Sequence, residues 1–183
     1  MDPPTMKWWM LIAIVVTAVR IADATEREEP ATLDLQMTSE VRVPAYVLKK
    51  SQDEVTRIFA DAGLAVRWTD TSPRVTVKIV AQVLGYDRAT SPVMGVAHRT
   101  PNGYVAQIFF RQVQEFAYTY EVDLGTMLGH VIAHEIGHLL LPVNAHSPTG
   151  VMQPYWDRAL VRDAVQGLLT FTEAQAARIR ASR

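Results

Sequence analysis

The sequence predicts a single α+β domain, with a sheet packed on two long helices, behind a short N-terminal targeting segment. Segments in which every second residue is apolar alternate with longer segments of helical spacing. With 183 residues, of which 49% are hydrophobic, the chain is long enough to bury one core. The chain contains no cysteine. The core is therefore stable without disulfides, and any metal site must use histidine and carboxylate ligands.

The first 24 residues have the pattern of a signal peptide. Lys7 precedes an apolar run from Trp8 to Val19, and Ala22-x-Ala24 has the small-residue form of a signal-peptidase site. The apolar run is shorter than the roughly 20 residues that span a bilayer. We therefore expect residues 1–24 to be cleaved near Ala24, which gives a secreted or periplasmic protein with no stable membrane association. The alternative is an uncleaved anchor.

Residues 25–43 are interpreted as a polar leader and a first strand, and part of this segment is a candidate for removal. In the strand, Thr32 to Met37, alternate residues are apolar. Residues 44–183 form the main domain. In its first part, residues 44–142, a helix is predicted to start near Pro44 or Ser51 and to stop at Gly63. Strands are predicted at 64–69, 75–80 and 104–110. A loop at 84–102 is predicted to include a short strand at 93–98.

A long apolar helix from Leu124 to Leu141 follows, and Pro142 ends it. Residues 144–154 are rich in Pro, Gly, Ser and Asn and are predicted to form a loop. Two shorter helices complete the chain, at about 156–169 and 172–181. The second begins with Thr172-x-x-Gln175, which is a capping-box pattern.

The long helix contains the motif HExxH, formed by His134, Glu135 and His138. Residues four apart lie on one face of a helix, so both imidazoles can reach one metal ion. Glu135 is placed to take a proton from a metal-activated water. Burying these three polar residues in so apolar a helix would be costly without a function. His130 lies one turn earlier and has no adjacent glutamate, so we assign it to the core or to support of the site.

A catalytic zinc ion needs a third protein ligand and an open position for water. His146 is the obvious candidate, because it follows His138 by eight residues and Pro142 ends the helix between them. The four residues from Val143 can span up to about 14 Å, which is enough to return to the metal. The rival ligands are three carboxylates on the predicted helical surfaces of the C-terminal part: Asp157, Asp163 and Glu173.

These residues resemble the metzincin zinc endopeptidases, whose pattern is HExxHxxGxxH followed by a turn that contains methionine. Gly150-Val151-Met152 is similar to that Met-turn. His146-Ser147 and Met152-x-Pro154-Tyr155 are similar to the matrixin branch of the family. Two features differ: Leu141 replaces the family's glycine, and the third histidine comes two residues later.

The resemblance implies a zincin fold, in which a twisted mixed sheet with an antiparallel edge strand packs on two long helices. A small helical C-terminal subdomain, residues 143–183, would close the cleft. It also implies that Met152 forms a floor beneath the zinc and that Tyr155 contacts the substrate or the transition state. The implied substrate-binding edge strand comprises Tyr104, Val105, Ala106, Gln107 and Ile108.

We therefore expect a secreted zinc metalloendopeptidase with one catalytic Zn²⁺, in which a zinc-activated water attacks the peptide bond and Glu135 is the general base. Its partner would be a protein or peptide substrate, and a monomer is expected. A net charge of −1 argues against nucleic-acid binding, which depends on neutralising phosphates. The alternatives are a non-catalytic or latent zinc-binding exported protein and a zinc hydrolase of a non-peptide substrate.

Overall fold

A computed structural model describes residues 31–81, 93–101 and 103–182. The predicted signal peptide and its cleavage site lie outside these residues, as does much of the predicted loop at 84–102. The described strands are β1 (Thr32–Ser39), β2 (Ala65–Trp68), β3 (Val75–Val80), β4 (Gly95–Thr100) and β5 (Gly103–Phe109). The described helices are α1 (Ala45–Asp61), α2 (Phe110–Tyr120), α3 (Leu124–Leu140), α4 (Arg158–Val165) and α5 (Glu173–Ala181).

The described strands form one mixed sheet in the order β2-β1-β3-β5-β4. All neighbours are parallel except β4, which runs antiparallel to β5 at the edge. The predicted α+β class, with a mixed sheet and an antiparallel edge strand, is confirmed.

The predicted identity of the edge strand is wrong. Ala106, in the middle of β5, is paired with Val77 of β3 on one side and with Ala97 of β4 on the other. The segment from Tyr104 to Ile108 is therefore an inner strand. The tight turn between β4 and β5, in which Gly103 has φ of +129°, folds the preceding strand back onto the outer side of β5.

The core lies between the sheet and the two long helices, α1 and α3. Leu35 of β1, Val77 of β3 and Ile58 of α1 are fully buried there. The two helices approach closely at Gly129, where an added Cβ would lie 2.6 Å from Cβ of Glu54. Only glycine fits that contact without a shift of the helices, so α1 holds the first half of α3 in place.

Helix α2 was not predicted. It follows β5 directly and buries Phe110, Val113, Phe116 and Ala117, a spacing typical of one helix face. The helix ends at Glu121, which adopts a left-handed conformation with φ of 55°. Its position between β5 and α3 brings Phe116 to the wall of a cleft.

The C-terminal part is small and helical, as predicted. Asp157 caps α4, because its side chain accepts hydrogen bonds from the backbone N–H groups of Ala159 and Leu160. The predicted capping box at the start of α5 is confirmed, with both the Thr172 and the Gln175 side-chain bonds present. Across the described residues, none of the helices combines the length and the apolar character needed to cross a membrane.

Candidate metal centre

Helix α3 carries two histidines one turn apart. Asp123 caps the helix by accepting from the backbone N–H of Thr126, and the helix stops at Leu140, just before Pro142. The helical repeat brings Nε2 of His134 within 3.1 Å of Nε2 of His138. Two ring nitrogens at this distance face a common point, as two ligands of one ion would.

The orientation of His134 is fixed from the opposite side of its ring. Nδ1 lies 2.8 Å from the backbone oxygen of Val151. Since a carbonyl oxygen can only accept, Nδ1 donates the hydrogen bond and the lone pair of the neutral ring is on Nε2. Burial lowers the pKa of His134 to about 4, and burial followed by the charge of His146 lowers the pKa of His138. Both rings are therefore neutral at pH 7, as metal ligation requires.

His146 approaches the pair from the loop that follows α3. The metal-ligating atoms of His134, His138 and His146 all lie within 4.8 Å of one another. The turn includes Asn144, which adopts a left-handed conformation with φ of 66°. Unlike the two helical histidines, His146 is exposed.

Gln175 of α5 holds the loop on both sides of His146. Its Nε2 donates to the backbone oxygen of Ala145 at 3.1 Å and to Oγ of Ser147 at 3.0 Å. Sequence reasoning identified Gln175 only as part of the capping box. Its second role was not visible in the sequence, because it depends on a contact between residues about 30 positions apart.

Residues 150–153 form a tight turn beneath the histidines. Gly150 has φ of +77°, and the backbone N–H of Gln153 donates to its carbonyl oxygen at 3.2 Å. Val151 is anchored by a hydrogen bond from its N–H to the Thr170 carbonyl at 2.8 Å. Met152 is fully buried and packs against Gly137, next to His138. The turn that orients His134 is thus fixed to both α3 and the C-terminal part.

Glu135 is almost completely buried, with 7% of its surface exposed. Burial raises the pKa of its carboxyl to about 8. The side chain lies against the first residue of β4, because a Cβ added to Gly95 would be 2.7 Å from its Cγ and 2.9 Å from its Oε1. A larger residue at position 95 would displace the Glu135 side chain from this position. An isolated glycine within a strand pattern signals such a close approach, but the contact of Gly95 with Glu135 was not predicted.

The histidines and Glu135 lie in a cleft of about 620 Å³. Its wall includes Trp156, whose ring contacts His134 edge-on at 6.1 Å and Phe116 at 6.2 Å between ring centroids. Tyr155 also lines the cleft and is 77% exposed. None of the predicted substrate residues at 104–108 is among the described lining residues. Instead, the outer strand β4 contributes Gly95, Val96 and Ala97.

The donor set fits a tetrahedral metal ion. Two ligands of a tetrahedral zinc site at 2.0–2.1 Å are separated by about 3.3 Å, close to the 3.1 Å between His134 and His138. The ligating atoms of all three histidines lie within 4.8 Å of one another, so His146 would move slightly closer to the pair on binding the ion. The rival carboxylates are placed elsewhere, since Asp157 caps α4 and the exposed Glu173 pairs with Arg180 at 3.0 Å. Asp163 is exposed on α4 and does not join the histidine group.

His130 is a core residue. It is fully buried, and its Nδ1 donates to the carbonyl oxygen of Thr126 at 2.9 Å. Its Nε2 lies 3.4 Å from Oε1 of Glu54 on α1, without hydrogen-bond geometry. His130 thus points toward α1 rather than toward the cleft.

No family model matches the chain, and no curated protein matches it in sequence. Among solved structures, the chain is similar to one described as "Structure of myroilysin". The similarity has a TM-score of 0.41 and 14% sequence identity, over 80% of this chain and 71% of the other. The function is therefore inferred from the chain's own residues.

Proposed function

We propose that the protein is a zinc-dependent endopeptidase in which His134, His138 and His146 hold the metal and Glu135 is the general base. One observation carries this proposal. Three imidazoles, whose ligating atoms lie within 4.8 Å of one another, converge beside a buried carboxylate in an open cleft. Three histidine ligands suit a catalytic zinc, because they leave a fourth position for water.

The bound zinc would supply Lewis-acid chemistry that activates water and polarises the scissile carbonyl. Glu135 would move the proton. Without a metal, burial raises the pKa of its carboxyl to about 8; the positive charge of a bound zinc would favour the ionised carboxylate that a base requires. This carboxylate can accept the proton from the attacking water and return it to the nitrogen of the leaving amine. Gly95 keeps the space that this carboxylate needs.

The substrate would lie along β4 instead of along the segment first predicted. β4 is the outermost described strand on that side of the sheet, and its first three residues line the cleft. An extended peptide can pair with such an edge through backbone hydrogen bonds that tolerate many sequences. Tyr155, on the exposed rim of the cleft, is a candidate donor to the substrate or the tetrahedral intermediate.

Export is part of the proposal and is supported by the N-terminal sequence alone. The apolar run and Ala22-x-Ala24 predict a mature chain that starts near Thr25. Mass spectrometry of the protein recovered from outside the cytoplasm tests this. An intact N-terminus on membrane-bound protein would favour the uncleaved anchor.

The proposed activity is tested by incubating the mature protein with a mixture of denatured proteins and recording its zinc content. Glu135→Ala is the test variant. Glu115→Ala is the matched control, because that carboxylate is exposed on α2 and pairs with Arg111. We expect about one zinc per chain in all three proteins, and cleavage by the wild type and Glu115→Ala only.

Zinc without cleavage by any of the three would favour a latent or non-catalytic zinc protein. Hydrolysis of a non-peptide ester without proteolysis would favour a zinc hydrolase of a non-peptide substrate. Absence of zinc from the purified wild type, even after incubation with excess Zn²⁺, would overturn the proposal.

A further inference from the structure

A second hollow lies near the cleft, and we call it the arginine hollow. It has a volume of about 420 Å³ and is lined by Arg74, Arg99 and Arg178, with an apolar floor that includes Leu140. Its described lining residues include no acidic side chain. Pro142 lines both the arginine hollow and the cleft, so the two adjoin at the end of α3.

The three arginines have no acidic partner among the described residues. Two of them are held by other groups, since Arg74 donates to the Ser182 carbonyl at 2.9 Å and the Arg99 guanidinium lies 5.1 Å from the Tyr104 ring centroid. Four other described arginines do pair with carboxylates: Arg57 with Glu54 and Asp61, Arg67 with Asp34, Arg111 with Glu115, and Arg180 with Glu173. The arginine hollow therefore concentrates positive charge that is not neutralised by the described part of the chain.

The arginine hollow lies on the path of a peptide along β4. Gly95, at the start of this strand, contacts Glu135, and Arg99 is four residues farther along. Alternate residues of a strand share a face, so Arg99 lies on the same side of the sheet as Gly95. At about 3.3 Å per residue, the separation along the strand is about 13 Å.

We propose that the arginine hollow binds acidic side chains of the substrate, about four residues from the scissile bond. The distance of the arginine hollow from the scissile bond rests on the proposed endopeptidase function. The binding of acidic side chains does not depend on that function. Guanidinium groups bind carboxylates with two parallel hydrogen bonds, and the apolar floor excludes water from one side of that contact. Substrates with Glu or Asp at this distance would be bound in preference to neutral ones.

The test measures binding without turnover, by fluorescence anisotropy of labelled peptides on the mature Glu135→Ala protein. Two peptides share an apolar centre and differ four residues away, where one carries Glu-Glu-Glu and the other Gln-Gln-Gln. Arg99→Gln/Arg178→Gln is the test variant. Arg67→Gln/Arg111→Gln is the matched control, because it removes the same number of charges outside the arginine hollow.

We expect the acidic peptide to bind about tenfold more tightly than the neutral one, with a preference that weakens as salt is raised. The preference should be lost in Arg99→Gln/Arg178→Gln and kept in the control. Arg99→Lys/Arg178→Lys retains the charge and should keep part of the preference. Circular dichroism and thermal unfolding confirm that each variant is folded.

Equal binding of the two peptides by the parent protein would overturn the inference, as would equal loss of the preference in both double glutamine variants. A failure of the proposed endopeptidase function can be distinguished from a failure of acid binding. One outcome is that the protein with Glu135 intact cleaves neither peptide while the arginine-dependent preference is present. That result would support acid binding by the arginine hollow and contradict the proposed endopeptidase activity. Cleavage of both peptides at equal kcat/KM would sustain the enzyme and exclude the acidic preference.

Discussion

The two sides of the candidate metal centre are built differently. His134 and His138 belong to one helix, are half-buried, and have ring nitrogens 3.1 Å apart. His146 belongs to a loop, is exposed, and depends on Gln175 of another helix to hold its neighbours. The spacing of the helical pair is set by local geometry, and a distant contact, with the Val151 carbonyl, orients only the His134 ring. The loop side depends on contacts between distant parts of the chain for its position as well.

The two sides of the site therefore respond to different kinds of substitution. A helical pair at i and i+4 persists as long as the helix does, so only replacement of a ligand removes it. A loop ligand can be displaced by a change that touches no ligand at all.

The largest effects are expected from replacing the ligands themselves. His134→Ala and His146→Ala should each weaken zinc binding by about 100-fold or more, because each removes one of three ligands. Only His134→Ala should also destabilise the metal-free protein, by about 1–3 kcal/mol, because it leaves the Val151 carbonyl without its donor. Chelator competition measures the first effect and urea unfolding the second. Equal destabilisation by both variants would contradict the distinction between the helix and loop sides.

The helix side also predicts a pH dependence through Glu135. In the folded metal-free protein its pKa is about 8, against an ordinary value of 4.5. The unfolded chain therefore loses this proton first, so the free energy of unfolding falls as pH rises from 4.5 to 8. Each unit of pKa difference corresponds to about 1.4 kcal/mol, so the loss amounts to a few kcal/mol.

Glu135→Gln removes this titration. In urea unfolding of the metal-free proteins, the variant should gain stability relative to the wild type across that pH range. Glu115→Gln should show no such gain. Curves for Glu135→Gln and wild type that stay parallel from pH 4.5 to 8 would argue against a buried, proton-holding carboxyl.

The loop side is tested by Gln175→Ala, which leaves every ligand in place. Losing the bonds to Ala145 and Ser147 should free the His146 segment and weaken zinc binding by about 10- to 100-fold, as loss of an outer-shell partner does. Thr172→Ala is the control, because it weakens the same capping box without touching the loop. Equal zinc affinity in Gln175→Ala and wild type would show that the loop holds His146 unaided.

The smallest effect on stability is expected at Gly95, which lies against the Glu135 side chain of α3. Gly95→Ala should cost about 1–3 kcal/mol of stability, because the added methyl group overlaps the Glu135 side chain. In a Glu135→Ala background the space is free, and the same change should cost almost nothing. Thermal unfolding of the four proteins of this cycle measures the coupling. Equal costs in both backgrounds would exclude the contact.

The same division explains how much of the structure could be predicted. β3, α1 and α3 follow from local spacing and from terminators such as Pro142, and the HExxH pair follows from the helical repeat. Strand order does not, because the β4–β5 hairpin is decided by pairing between segments, and so Tyr104 to Ile108 was assigned to the wrong place in the sheet. The contact of Gly95 with Glu135 and the second role of Gln175 likewise depend on residues that are far apart in sequence.

X-ray absorption at the zinc edge directly counts the histidines that bind the metal. For the mature protein loaded with one equivalent of zinc, we expect three imidazole nitrogens at about 2.0–2.1 Å and one further light ligand. His146→Ala should show one imidazole fewer, whereas His130→Asn should match the wild type. A wild-type spectrum with fewer than three imidazoles, or one that His146→Ala leaves unchanged, would contradict the three-histidine site.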